Sequence, residues 1–183
     1  MKPVLTKRGG AELLLFFVAA GWGIGFPMMK MVVNAYPVMM VLGLRFLLSA
    51  LLLLPFSLKG MSKIPPQTLL AGVLLGLLLG GSFIFLIYGL QLTTASNTGF
   101  LAGLSVIWVL LLTGPLSGKR PSIEAMLATL FGVAGLYLMA DIHGLQLHLG
   151  DGLVVIGSLF TAVHILAFDR FCARHDTMTL TFL

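Results

Sequence analysis

Of 183 residues, 58% are hydrophobic and 9% charged, and the mean hydropathy is +1.07. Water-soluble domains carry about 25% charged residues, so this balance excludes a soluble enzyme or binding module and points to an integral membrane protein. The net charge of +5 arises from lysines and arginines in short segments between apolar runs, which suits a lipid surface and implies no nucleic-acid partner.

Lys2, Lys7 and Arg8 precede an apolar run that continues to Val33, too long for a signal-peptide core, so it reads as a first spanning helix. Such a helix needs about 20 mostly apolar residues. That length predicts transmembrane helices over 12–33, 37–57, 67–90, 95–114, 123–140 and 151–171, with the start of a seventh after Asp176. The expected fold is an all-α integral membrane protein of six transmembrane helices plus that beginning. Turn chemistry marks the breaks: Asn34 to Pro37, Pro65-Pro66, Gly114-Pro115 with Pro121, and the polar run from Asp141 to Asp151. The single cysteine, Cys172, excludes an intramolecular disulfide.

Lys2, Lys7, Arg8, Lys59, Lys63, Lys119, Arg120, Arg170 and Arg174 all fall on one side of this topology, and Lys30 and Arg45 lie inside spans. The positive-inside rule then puts the N-terminus in the cytoplasm. Small residues recur at helical spacing: Gly21 and Gly25, the series Gly72, Gly76 and Gly80, the series Ala95, Gly99 and Gly103, and Ala128 with Gly132. Such faces let membrane helices approach closely, and the Ala95–Gly103 face is expected to pack on the glycines of the third helix. One constant shift also relates Glu12 to Asp151, Lys30 to Asp169 and Pro37 to Asp176. Five predicted helices separate the two starts, so the second copy would be inverted, as in many secondary transporters.

Arg45 lies eight residues beyond Pro37, about 12 Å along a helix. It either snorkels to the interface or supplies charge to a cavity. Lys30, near the end of its helix, reads as an interface anchor. Trp22 either stacks on a substrate or packs beside Gly21 and Gly25. Ser96 and Asn97 line a pathway, cap the fourth helix, or do both. Tyr88 and Gln91 stand at the same level, and His164 makes an interhelical hydrogen bond or relays protons. No Asp or Glu lies in the middle of a span, which disfavours proton coupling through an embedded carboxylate and favours an anionic or zwitterionic solute over a cation.

Gly103-Leu104-Ser105 begins like a nucleophile elbow but has Ile107 where the motif needs glycine. His143 and His148 with Asp141 and Asp151 lack the spacing of a metal set. An enzyme is therefore not expected, nor is a metal or cofactor. The remaining rival to a transporter is an inert fragment or a non-transporting membrane subunit.

Several stretches together resemble the EamA-type transporters of the drug/metabolite transporter superfamily. They are Trp22-Gly23-Ile24-Gly25-Phe26 with Lys30, Leu44 to Ala50, Gly89 to Asn97, Gly132-Val133-Ala134-Gly135 and Gly150-Asp151. The resemblance implies two inverted five-helix repeats around a central cavity, in the bacterial inner membrane, acting as an exporter of small metabolites such as amino acids. On that pattern 1–10 is a cytoplasmic N-terminus, 11–140 the first repeat and 141–183 the start of the second. Trp22, Arg45, Tyr88, Ser96 and Asn97 become the expected substrate-binding residues. Val106 stands where the family has a proline, and Gly118-Lys119-Arg120 where it has Gly-Glu-Arg. Since the sequence stops at Leu183, it is expected to be truncated, with the opposing cavity wall supplied by a C-terminal half or by a homodimer partner.

Overall fold

The computed structural model describes residues 2–57, 64–118, 121–139 and 148–183. Lys59, Lys63, Lys119, Arg120, Asp141 and His143 lie outside these residues, as do the side chains of Lys2, Lys7 and Arg8. The helices are α1 (Lys2–Ala35), α2 (Val38–Ser57), α3 (Pro66–Leu92), α4 (Ala95–Gly103), α5 (Ser105–Ser117), α6 (Ile123–Met139), α7 (Leu149–Cys172) and α8 (Thr177–Phe182). Only Leu104 parts α4 from α5, so they form one rod and the described chain is all-α with seven helical units. Helix ends obey local chemistry. Pro66 opens α3, where its missing N–H costs nothing. Thr94 caps α4 by accepting from Asn97 N at 3.1 Å, so the cap is Thr94 and not Ser96 or Asn97. Gly118, with φ 66°, closes α5 in the left-handed conformation that glycine adopts freely.

The expected six crossings and the start of a seventh are corrected by the structure. Among the described residues, five helices are long and apolar enough to cross a membrane: Glu12–Ala35, Val38–Pro55, Pro66–Leu92, Ala95–Leu116 and Leu149–Cys172. The expected helix over 123–140 forms as α6, but its 17 described residues, Ile123–Met139, fall short of the roughly 20 a bilayer requires. Beyond Asp176 the chain forms a helix of only six residues, α8. Leu15 and Met31 are 67% and 75% exposed while Thr98 and Ser158 are 0% exposed. This inside-out pattern, apolar outside and polar within, is that of a multi-pass membrane protein.

The centre of the fold is the antiparallel pair α3 and α7. Hydrogen bonds join them along their length. Thr93 Oγ1 donates to Asp151 Oδ1 at 2.6 Å, Ser82 Oγ donates to Gly157 O at 3.0 Å, and His164 Nδ1 lies 3.1 Å from Leu75 O. Beyond the end of α7, Thr68 Oγ1 meets His175 Nδ1 at 2.9 Å. The pair approaches to backbone contact at Gly89, Gly150 and Gly157. A Cβ built on Gly157 would lie 3.0 Å from both Leu86 N and Ser82 O. The close seam therefore runs through these residues and not through Gly72, Gly76 and Gly80. On the Ala95–Gly103 face, Ala95 packs against the cluster that holds Ile87 and Leu90 of α3, whereas Gly99 looks at Phe26 of α1, 3.9 Å from a built Cβ. A Cβ on Gly21, Gly25, Gly80 or Gly132 would meet nothing within 4 Å.

Candidate functional site: two cavities joined at Arg45 and Phe83

Two cavities lie end to end along α3. The first, of about 350 Å³, sits between α1, α2 and α3, walled by Trp22, Gly25, Phe26, Arg45 and Phe83. The second, of about 650 Å³, lies between α2, α3, α7 and α8, walled by Arg45, Ser49, Gly80, Phe83, His164 and Leu180. Arg45 and Phe83 are the two residues common to both. The guanidinium carbon of Arg45 stands 4.5 Å from the Phe83 ring centroid, a cation–π geometry. Phe83 is held in turn by Phe46, edge-on at 5.5 Å, and by Trp22 at 6.3 Å, with Phe26 beyond Trp22 at 6.4 Å. Among the described residues, no Asp or Glu lines either cavity.

The first cavity owes its space to the Trp22–Phe26 stretch, where Gly21 and Gly25 leave one wall of α1 without side chains. Pro27, inside α1, removes a backbone hydrogen bond beside it. At the end near Thr93 the frame is pinned. Lys30 Nζ donates to the carbonyls of Leu90, Gln91 and Thr93 at 2.7, 2.9 and 2.8 Å. Gln91 Nε2 returns a bond to Val33 O at 2.9 Å. A lysine expected to anchor in the interface instead satisfies the last carbonyls of α3, where a cation also meets the negative end of the helix dipole.

This arrangement of α1 to α6 is matched in sequence over residues 9–140 by the EamA-like transporter family. The chain belongs to that family. It is also 26% identical over 177 residues to an uncharacterized transporter of Archaeoglobus fulgidus, an alignment covering 97% of this chain and 54% of the relative. The chain thus spans about half the length of that relative. No solved structure matches it.

Of the five residues expected to bind substrate, the structure brings Trp22 and Arg45 to one cavity. Tyr88 stands on α3, 38% exposed, and lines neither cavity. Ser96 is exposed in the first turn of α4. Asn97 donates from Nδ2 to Thr93 Oγ1 at 3.4 Å, next to the Thr93–Asp151 bond. His148 and Asp151 hold each other at the start of α7, where Asp151 Oδ2 accepts from His148 N at 2.8 Å. Among the described residues, no group of three His, Cys, Asp or Glu side chains gathers to hold a metal. Sequence reasoning missed Phe83. Its signal was depth, since it lies nine residues inside the end of α3 and Arg45 seven inside the start of α2, and those two ends share one side of the fold. Two residues before Val106 the rod tightens at Leu104, whose N–H bonds Leu101 O at 3.2 Å.

Proposed function

We propose that the chain is part of a carrier that moves small anionic or zwitterionic solutes, amino acids among them, by alternating access. The observation that carries this reading is the pair of end-to-end cavities sharing a cationic residue, with no carboxylate among the described residues that line them. In a site of effective dielectric about 20, a unit charge about 4 Å from Arg45 gains roughly 4 kcal/mol, and a cation is disfavoured by as much. Trp22 supplies an apolar wall beside that charge, while Ser96, Asn97 and Tyr88 serve the mouth near Thr93. Two inverted repeats, 11–140 and 141–183 with its continuation, frame the route. The opposite directions of α1 and α7 support the inversion, because the end of α1 and the start of α7 both reach Thr93. The opposing wall comes from further chain or a second copy.

Counterflow in proteoliposomes tests the proposal. Vesicles loaded with aspartate or alanine are expected to exchange label with the outside, and tetramethylammonium is expected to stay put. Arg45→Gln should cut aspartate exchange by about tenfold or more, the effect of losing about 1.4 kcal/mol. Transport confined to lipophilic cations would overturn the reading.

A further inference from the structure

Phe83 carries no charge and no polar atom, yet it borders both cavities and offers the ring face on which Arg45 rests. The geometry points to Phe83 as a gate: it holds the Arg45 guanidinium across the passage between the cavities until a carboxylate takes that guanidinium over. This rests on the proposed transport of anionic solutes and adds to it the residue that keeps the route closed.

The two halves of the gate differ in freedom. Phe83 is 9% exposed and fixed on two sides by Phe46 and Trp22. The Arg45 guanidinium has a long flexible stem and, among the described residues, Phe83 as its partner. The Ser49 hydroxyl bonds the Arg45 backbone carbonyl at 2.9 Å and leaves the guanidinium alone. There is room to swing, because a Cβ on Gly25 or Gly80, one in each cavity wall, would meet nothing within 4 Å.

The chemistry sets the direction. A ring face attracts a guanidinium through its quadrupole but leaves the charge unneutralised and the five N–H donors unused. A carboxylate offers two charge-assisted hydrogen bonds in the fork geometry of the guanidinium. An anionic solute therefore binds the released arginine better than the held one, and that difference is what shifts the gate toward open. A cation gains nothing from release and meets a closed passage.

The test uses the chain in liposomes loaded with aspartate and tetramethylammonium. Wild type should hold both until external aspartate is added, then exchange aspartate alone. Phe83→Leu keeps the apolar bulk and deletes the ring, so both probes should leak about tenfold faster without external aspartate, equivalent to about 1.4 kcal/mol. Phe83→Trp keeps a ring face and should stay tight and coupled. A second readout needs no flux. In a Trp108→Phe background Trp22 is the remaining tryptophan, and aspartate should change its emission in the Phe83 protein and not in Phe83→Leu. Aspartate exchange in wild type with a Phe83→Leu protein equally tight, or a Phe83→Trp protein that leaks, overturns the gate and leaves the carrier standing. Wild-type vesicles that hold the opposing wall as well and exchange neither aspartate nor alanine overturn both.

Discussion

Lys30 spends its charge on three carbonyls at the end of α3, which the helix itself leaves without a donor. Hydrogen bonds to charged groups contribute about 1.5–3 kcal/mol, so Lys30→Met should destabilise the protein by roughly that much. Lys30→Arg should recover part of it. Unfolding midpoints in mixed micelles would measure both, and a Lys30→Met protein as stable as wild type would mean that the ammonium is dispensable. The sequence placed Lys30 near the end of its helix from spacing alone. Its partners, about sixty positions away, were not legible, because an apolar run reveals the depth of a residue and not the azimuth of its neighbours. The same limit hid the pairing of Arg45 with Phe83, whereas the join of Trp22 to Arg45 was within reach, both being unusual side chains at depth.

At the scale of the helix, two kinds of glycine can be told apart. On Gly157 an added methyl group would meet backbone at 3.0 Å, so Gly157→Ala must push α3 and α7 apart. Overpacking of this kind costs about 1–3 kcal/mol. On Gly25 the same methyl group meets nothing within 4 Å, and the gain of alanine over glycine in a helix makes Gly25→Ala neutral or stabilising by up to about 1 kcal/mol. Paired midpoint measurements should therefore show Gly157→Ala falling and Gly25→Ala level or rising. The sequence showed where glycines repeat, but a repeat is equally a packing seam or an open cavity wall, and only the neighbouring helix decides. The helix α8 is held by a cap. Thr179 N–H donates to Asp176, as does the Thr179 hydroxyl, both at 2.8 Å, and the carboxyl is thereby held below its usual value. A depressed folded pKa means that the cap is fully formed above the unfolded value of about 3.9 and is lost as pH falls through the lower folded value. Hydrogen exchange over Thr177–Phe182 should accelerate on acidification. Asp176→Asn should already exchange faster at neutral pH and lose that acid response; an unchanged response would show that another group controls the end of the chain.

For the molecule as a whole, apolar length located most helix ends within a few residues, though α1 begins at Lys2 where 12 was expected, because the bilayer sets a minimum for the apolar span and no maximum for the helix. The count of crossings was less secure, since α6 falls just below that minimum and its polar flank lies close by. Orientation rests on charge. The antiparallel α3 and α7 put Thr93 and Asp151 at one end and Thr68 and His175 at the other, and Arg170 and Arg174 flank the second end. An excess of Lys and Arg marks the cytoplasmic side, so the Ser96 mouth should face outward and the α8 end inward. In a Cys172→Ser background, Ser96→Cys should react with a membrane-impermeant maleimide added to intact cells, and Arg174→Cys only after permeabilisation. Both side chains are exposed, so a failure to label would reflect sidedness and not burial. The reverse pattern would turn the molecule over, and with it the assignment of the smaller cavity to the outside and the larger to the cytoplasm. In the expected orientation Arg45 and Phe83 lie between the two aqueous phases, which is where a carrier must keep its barrier when no solute is bound.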